Sequence, residues 1–424
     1  MEKTLALRLY GKNDVRLEEF ELPEIKDNEI LADVYSDSIC MSTYKVLQQG
    51  EDHKRVPPGL AENPIIVGHE ICGHILKLGK NFEGKYKIGQ KYSVQPAMNY
   101  PGKEWHAPGY SFPYFGGNAT KVIIPHEIMD MDCLLTYDGE GYFMGSLVEV
   151  MSCIVGGFNV QYHFEHGSYQ HEMGIVEGGA LALLGGTGPM GLGAIDYAIH
   201  GPRKPKTLLV TDIDQARLDR AEHLFSKEEA RKNGVDVHYV NTSSASNQDL
   251  IDLADGVGYH DAFVFAPVPA LVEQASDIMC ENGCLNFFAG PTNTEFKSTI
   301  NFYKVHYAAH HVAANSGGNT EDMRIALKYM SEGKLNPAIM ITHVGGLDST
   351  ADTLANLPNI GGGKKLVYNH ISLPMTAIDD FESLGKDNEL FRNLAEICAR
   401  HDGLWSVEAE DYLLNNAPKM PGVE

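Results

Sequence analysis

Four residues in the first 150 positions are candidate zinc ligands by type and position. Cys40 follows a predicted strand, His69 and Glu70 lie in a Gly-His-Glu triplet, and Glu149 stands at the start of a predicted helical segment. Three ligands from thiolate, imidazole and carboxylate groups, with a fourth position open, make a catalytic zinc site. Zinc bound there would act as a Lewis acid on a substrate hydroxyl or carbonyl oxygen. Each residue alone also fits a structural role, such as a core cysteine or an acid at a helix N-terminus.

A glycine-rich run that follows an apolar segment predicts a dinucleotide-binding turn. The run consists of Gly186, Thr187, Gly188, Pro189, Met190 and Gly191. In this spacing the first glycine is expected to permit the tight turn, and the second lets the backbone approach a pyrophosphate. The third glycine lets the following helix pack closely on the strand. The alternative is a tight strand–helix turn that binds no ligand.

Asp212, at the end of the next predicted strand, indicates which dinucleotide binds. A carboxylate there can accept hydrogen bonds from both ribose hydroxyls and would repel a 2′-phosphate. We therefore expect NAD, with NADP as the alternative because Arg217 is close in sequence. Ser316 follows the last predicted strand of this region and is expected to approach the nicotinamide end.

The elements that must position these residues change in character near residue 140. The region before it is rich in short strands and turns. Strands alternate with helices from residue 180 onward, which predicts a parallel sheet built from βαβ units. The polar stretch 159–179 is expected to form a loop or insertion, and residues 375–417 read as mostly helical.

This order of motifs resembles the zinc-dependent medium-chain dehydrogenase/reductase family, in its polyol dehydrogenase branch. Residues 116–125 and 363–368 look like strands of that family's catalytic domain. The resemblance implies an α/β protein with a GroES-like β-rich catalytic domain and a Rossmann domain, a doubly wound parallel sheet. The implied boundaries are 1–150 for the first part of the catalytic domain, 151–318 for the NAD-binding domain, and 319–424 for the return to the catalytic domain plus a helical extension.

The resemblance also implies roles for the zinc-binding residue types. Cys40 and His69 would be ligands of one catalytic zinc per chain, and Glu149 and Glu70 are the two candidates for the remaining position. Ser42 would relay a proton beside the reacting oxygen. Residues 88–118 contain no cysteine, so the structural zinc of many relatives should be absent. Thr43 stands where the family often has an aspartate, so another group must do what that acid does.

Three stretches resemble reductases that interconvert L-sorbose 1-phosphate and D-glucitol 6-phosphate. They are residues 36–45, 52–57 and 315–320. The second stretch carries Lys54 and Arg55, which could hold a substrate phosphate or simply form a solvated turn. The resemblance therefore implies hydride transfer between NAD(H) and a sugar-alcohol or ketose phosphate. The alternatives are an unphosphorylated polyol substrate, a zinc-free reductase, and a non-catalytic NAD-binding protein.

Composition sets the outer limits of these interpretations. The chain has 424 residues, with 34 Lys and Arg against 57 Asp and Glu, a formal net charge of −23. Such a charge repels nucleic acids and anionic membranes. Seven scattered cysteines in a chain without a signal-peptide pattern favour reduced thiols in the cytoplasm. By resemblance, a homo-oligomer, a dimer or tetramer, is expected.

Overall fold

The computed structural model describes residues 2–421 and divides the chain into two compact units. Unit 1 combines the chain up to Val150 with the chain from Ile341 onward, and unit 2 is Met151–Met340. The chain thus returns to unit 1 at Ile341 rather than at residue 319. The reason is that the segment after 319 packs within unit 2, where Asp322 Oδ1 accepts a 2.7 Å hydrogen bond from Asn159 Nδ2.

The strands, numbered in chain order, are β1 (Lys3–Gly11), β2 (Asp14–Glu21), β3 (Ile30–Asp33), β4 (Ser36–Ile39), β5 (Ile65–Ile66), β6 (Cys72–Leu78), β7 (Lys91–Val94), β8 (Lys121–Ile124), β9 (Leu134–Thr136), β10 (Tyr162–Phe164), β11 (His171–Met173), β12 (Ala180–Leu184), β13 (Thr207–Asp212), β14 (Asp236–Asn241), β15 (Tyr259–Val264), β16 (Met279–Phe287), β17 (His311–Ala313), β18 (Ile341–Gly346), β19 (Lys364–Tyr368) and β20 (Thr376–Ala377).

The α-helices are α1 (Met41–Gln49), α2 (His126–Asp130), α3 (Tyr142–Asn159), α4 (Pro189–His200), α5 (Gln215–Leu224), α6 (Lys227–Lys232), α7 (Asn247–Asp252), α8 (Pro269–Ile278), α9 (Phe302–Tyr307), α10 (Thr320–Ser331), α11 (Thr350–Ala355), α12 (Phe381–Leu384), α13 (Glu389–Arg400) and α14 (Val407–Asn416).

Unit 1 is the β-rich unit. Its main sheet runs β20-β18-β19-β4-β6-β3-β8, with β7 beside β6 and β9 beside β7. Strand β19 pairs antiparallel with β4, so that Lys365 stands opposite Ile39 and Tyr368 opposite Ser36. Strand β4 leads directly into Cys40, and β19 begins at Lys364. The pairing therefore brings residues more than 300 positions apart in sequence to one end of the sheet.

Unit 2 holds one six-stranded parallel sheet in the order β14-β13-β12-β15-β16-β17. This is the strand order of the doubly wound Rossmann fold, which confirms the predicted fold class. Strand β12 is apolar and buried along its whole length, as expected for a central parallel strand. Successive strands are added outward from β12 on one side and from β15 on the other, so the carboxyl ends of these two parallel strands mark the usual ligand crevice.

Residues 159–179 and 381–416 lie outside the two main sheets. The stretch 159–179 is not only loop, because β10 and β11 form an antiparallel hairpin within it. Residues 381–416 form α12, α13 and α14, in agreement with the helical pattern of the tail. Helix α3 alone among the described helices is long and apolar enough to cross a membrane, and 78% of it is buried inside the protein. That burial is typical of a core helix.

Candidate active site

Cys40, His69 and Glu70 come together in the interior of unit 1. Their candidate ligand atoms all lie within 4.8 Å of one another. Cys40 is the N-cap of α1, and its Sγ accepts a hydrogen bond from the Ser42 amide. Gly68 precedes His69 with φ of 93°, and a Cβ there would lie 2.5 Å from a carboxylate oxygen of Asp37. Thiolate, imidazole and carboxylate donors at this spacing suit a zinc ion.

The imidazole of His69 is held from both sides. Its Nδ1 lies 3.3 Å from Thr43 Oγ1, and its Nε2 lies 3.4 Å from the Tyr110 hydroxyl. Burial lowers the pKa of His69, which favours the neutral form that a metal requires. Thr43 thus contacts the imidazole ring whose orientation a metal site would depend on.

Glu70 is engaged through both carboxylate oxygens. Oε1 lies 2.6 Å from Nζ of Lys364, and Oε2 accepts a hydrogen bond from Ser38 Oγ. Both members of the ion pair are buried, with side-chain exposures of 8% for Lys364 and 1% for Glu70. Burial raises the pKa of Glu70 to about 7, against the opposing effect of Lys364. The amide of Glu70 donates a hydrogen bond to the buried carboxylate of Asp37. Burial, followed by the charge of Glu70, raises the pKa of Asp37.

Glu149 lies on α3 and is buried. Among residues 2–421 the tight ligand group contains Glu70 and does not include Glu149. The Glu149 charge nonetheless acts on the site, because it partly offsets the lowering of the His69 pKa that burial causes. The two glutamates therefore differ. Glu70 lies within the ligand group and is paired with Lys364, whereas Glu149 lies on α3 and outside that group.

The basic loop, residues 53–55, borders the same site. The guanidinium carbon of Arg55 lies 5.4 Å from the centre of the Tyr110 ring, and Nζ of Lys54 lies 4.1 Å from the Trp105 ring. Burial, followed by the charges of its two neighbours, lowers the pKa of His53 to about 4. The loop therefore carries two positive charges at neutral pH rather than three.

The glycine-rich turn of unit 2 joins β12 to α4. Gly185 has the positive φ of the turn, 64°, and a Cβ on Gly186 would lie only 2.7 Å from the Leu183 carbonyl oxygen, so both positions require glycine. A Cβ on Gly191 would lie 2.2 Å from the Gly186 carbonyl oxygen, so the first turn of α4 packs directly against the glycine-rich turn. A Cβ on Gly188 would meet no atom within 4 Å, so the backbone there is open to approach. Pro189 opens α4, where its missing N–H costs nothing.

Asp212 ends β13 beside this turn. One of its carboxylate oxygens accepts a hydrogen bond from Thr187 Oγ1, and the other accepts from the amides of Ile213 and Asp214. Arg217 lies 3.6 Å from Asp214 in a surface ion pair. Ser316 is exposed in the turn after β17. Thr187 and Asp212 are thus brought together within unit 2, and Met190 lies in the first turn of α4.

Comparison with known proteins decides the family. Residues 26–131 match the alcohol dehydrogenase GroES-like domain. The chain is 48% identical over 417 residues to L-sorbose 1-phosphate reductase of Klebsiella pneumoniae, a match that covers 98% of both proteins. This chain belongs to the zinc-dependent medium-chain dehydrogenase/reductase family. It is accordingly an enzyme that acts on CH–OH groups.

One further sequence relative and two solved structures are similar to this dehydrogenase over most of its length. It is 47% identical over 416 residues to mannitol-1-phosphate 5-dehydrogenase of Aliivibrio fischeri, with 98% of each chain covered. Among solved structures, 2R,3R-butanediol dehydrogenase of Bacillus subtilis superposes with a TM-score of 0.68 at 20% identity, covering 86% of this chain and 99% of that one. An alcohol dehydrogenase of Escherichia coli CFT073 complexed with NADH gives 0.66 at 17% identity, with coverages of 86% and 99%. These two likenesses confirm the fold.

Two residues at the candidate metal site of this dehydrogenase are not predicted from the sequence. The sequence predicts only a strand at Lys364, because lysines are seldom buried and the partner, Glu70, lies 294 positions earlier in the chain. Tyr110 lies in the cysteine-free segment and contacts His69, a role that no local motif announces. Both residues reach the site from segments distant in sequence.

Proposed function

We propose that this dehydrogenase uses zinc and NAD(H) to transfer a hydride to or from a sugar-alcohol or ketose phosphate. The pair L-sorbose 1-phosphate and D-glucitol 6-phosphate is the first candidate. The alternatives are an unphosphorylated polyol of the sorbitol type and a non-catalytic NAD-binding role. The relatives that match over nearly the whole chain bear the names of sugar-phosphate reductases and dehydrogenases, which supports the first choice.

One observation carries the phosphate part of this proposal. Tyr110 is buried between the basic loop and the metal-ligand group: Arg55 lies over its ring, and its hydroxyl lies 3.4 Å from His69 Nε2. The charge of Arg55 therefore stands one aromatic side chain away from the candidate reaction centre. A short polyol with a phosphate on its terminal carbon would span such a separation. A guanidinium can contact that phosphate through two N–H groups.

The residues at the centre suit one catalytic zinc. Cys40 and His69 would hold it, with Glu149 as a direct third ligand or Glu70 in contact directly or through water. A bound zinc would supply Lewis-acid polarisation of the substrate oxygen. Ser42 Oγ would then pass the proton between that oxygen and solvent, and a hydrogen bond links the Ser42 side chain to Tyr110. A structural zinc is not expected, because residues 88–118 lack cysteine.

The cofactor part of the proposal assigns NAD to the turn of unit 2. The backbone of residues 186–191 would receive the pyrophosphate at the start of α4. Asp212 would accept hydrogen bonds from the ribose hydroxyls, and Ser316 would lie toward the nicotinamide end. Arg217 is paired with Asp214, which supports NAD over NADP.

Metal analysis of the purified chain tests the zinc assignment. We expect about one zinc per chain and its loss, with loss of turnover, in Cys40→Ser. Glu149→Ala and Glu70→Ala compare the two candidate carboxylates by the same measurement. Cys280→Ser, a buried cysteine of unit 2, is the matched control and should keep both zinc and activity. Absence of zinc, or full turnover in Cys40→Ser, would contradict the proposal.

Kinetics on matched substrates test the phosphate assignment. L-sorbose 1-phosphate and mannitol 1-phosphate would be compared with the unphosphorylated sugar and polyol. Lys54→Ala and Arg55→Ala should each raise KM about 10-fold or more for the phosphorylated substrates only, the effect of losing one charge-assisted hydrogen bond. Lys85→Ala removes a lysine that also lies over an aromatic ring, 5.3 Å from that of Tyr86, and serves as control. Equal effects on both substrate classes would favour the unphosphorylated alternative.

We further propose a cytoplasmic homo-oligomer, dimer or tetramer, that binds neither nucleic acid nor membrane. The net charge of −23 and the seven free cysteines support this setting. Exposed aromatic side chains on α9, Phe302, Tyr303 and Tyr307, offer apolar surface for self-association near the edge strand β17. Light scattering coupled to gel filtration gives the mass directly, and a monomer at micromolar concentration would contradict the oligomer.

A further inference from the structure

Glu410, on the C-terminal helix α14, is a buried carboxylate that the proposed chemistry does not use. Its exposed fraction is 1%. Oε1 accepts a 2.5 Å hydrogen bond from the Tyr142 amide, and Oε2 accepts from the Phe143 amide at 2.8 Å and from the Tyr368 hydroxyl at 2.7 Å. A single side chain from the tail therefore binds one helix and one strand of unit 1.

The helix that Glu410 binds is the one that carries Glu149. Helix α3 has no acidic residue in its own first turn, and the carboxyl oxygens of Glu410 supply acceptors for two of its N-terminal amides. Glu149 follows Tyr142 by about two turns and faces the same side of the helix. Fixing the first turn of α3 thus fixes the rotation of the helix and the direction of the Glu149 side chain.

The strand that Glu410 binds is the one that carries Lys364. Tyr368 and Lys364 lie at opposite ends of β19 on the same face, because side chains repeat every two residues along a strand. The Tyr368 hydroxyl also accepts a 2.8 Å hydrogen bond from Trp405 Nε1. Two residues of the C-terminal tail, Trp405 and Glu410, therefore hydrogen-bond to Tyr368. Lys364 at the other end pairs with Glu70.

We propose that Glu410 is a positioning residue for the metal centre. By joining the start of α3 to the end of β19, it sets Glu149 and the Lys364–Glu70 pair relative to Cys40 and His69. The C-terminal helices would then complete the active site from a distance. This inference rests on the proposed zinc site, and its test separates the two.

The test measures metal binding rather than turnover. Zinc affinity would be determined by competition with a chelator, and the absorption spectrum of the cobalt(II)-loaded chain would report the ligand geometry. Glu410→Ala should weaken zinc binding about 10-fold, the lower end of the effect of residues that orient metal ligands, and shift the cobalt bands. Glu410→Gln keeps one acceptor oxygen and should fall between Glu410→Ala and the wild type. Asp411→Asn, an exposed neighbour, should match the wild type.

Tyr368→Phe keeps the test decisive if Glu410→Ala fails to fold. It removes one hydrogen bond to Glu410 and preserves the buried ring, so we expect a smaller loss of zinc affinity in the same direction. Variants that lower the unfolding temperature while zinc affinity and the cobalt spectrum stay unchanged would overturn the inference and leave Glu410 a purely structural cap. Failure of the wild-type chain to bind zinc would instead overturn the proposed function.

Discussion

Lys364 and Glu70 form an ion pair of 2.6 Å in the interior of unit 1, between residues separated by 294 positions in sequence. Burial alone would lower the pKa of Lys364, but the Glu70 and Cys40 charges raise it above its usual value, so the lysine is held in its charged form. The pair compensates one negative charge within a group that offers two anionic ligands. The remaining thiolate and a second carboxylate, Glu149, would then balance a divalent ion.

Removing the lysine should show how much this ion pair contributes to the free energy of unfolding. Lys364→Met leaves Glu70 buried without its partner, which typically costs about 3–5 kcal/mol. Lys364→Arg should recover part of that loss because it restores the charge. Urea unfolding gives the free energies, with the exposed Lys386→Met as control, expected within about 0.5 kcal/mol of wild type. A Lys364→Met chain as stable as the wild type would show that the pair contributes nothing net.

Two alanine substitutions in the glycine-rich turn should have different effects. Gly191→Ala places a methyl group 2.2 Å from the Gly186 carbonyl and should lower the unfolding temperature. Gly188→Ala points its methyl group into open space, so stability should hold while NAD affinity falls, because that space would receive the pyrophosphate. Thermal unfolding and NADH fluorescence titration measure the two effects. Normal NAD binding in Gly188→Ala would contradict the assignment of the turn.

Cofactor preference should depend on the carboxylate of Asp212. Asp212→Ser removes the group that would hold the ribose hydroxyls and repel a 2′-phosphate, so KM for NAD should rise and KM for NADP should fall. The ratio of kcat/KM for the two cofactors is the measurement. Asp219→Ser changes an exposed acid on the following helix and should leave the ratio as in the wild type. If Asp212→Ser also leaves the ratio unchanged, Asp212 has no part in cofactor choice.

Stability should fall with rising pH because of Glu410. Burial raises the pKa of Glu410 from 4.5 to about 7, an effect that hydrogen bonds from Tyr368 and the Phe143 and Tyr142 amides only partly oppose. The folded chain therefore binds this proton more tightly than the unfolded chain. The stabilisation is complete below pH 4.5 and is lost as the pH rises through 7, by up to about 3 kcal/mol.

Urea unfolding at pH values from 4.5 to 8 checks this dependence. Glu410→Gln cannot ionise, so the difference in unfolding free energy between it and the wild type should shrink with rising pH. Glu70 and Asp33, whose pKa values burial raises to about 7 and about 6, titrate in both proteins and cancel in that difference. Glu408→Gln, an exposed change on the same helix, should lack the trend. A difference that is constant with pH would refute it.

Only part of the candidate site is encoded in local sequence patterns. Cys40, His69 and the Gly186–Gly191 run each lie beside a predictable strand, and their order along the chain carries the family resemblance that implies their roles. Lys364 and Glu410 were not found as site residues, because their partners lie hundreds of positions away and only the tertiary pairing reveals them. The positive φ at Gly185 was not predicted, because adjacent glycines look alike until the backbone angles are known.

The two units differ in how their chain segments follow one another, and this has a consequence for biogenesis. Unit 2 is one continuous stretch, so its parallel sheet can close as soon as residue 340 is available. Unit 1 must hold Glu70 and the start of α3 unpaired until β19 and α14 arrive. Because synthesis proceeds from the N-terminus, a nascent chain halted before residue 364 would contain a finished nucleotide unit beside an incomplete metal centre. On the proposed assignment, zinc binding should therefore wait until β19 and α14 have been synthesised.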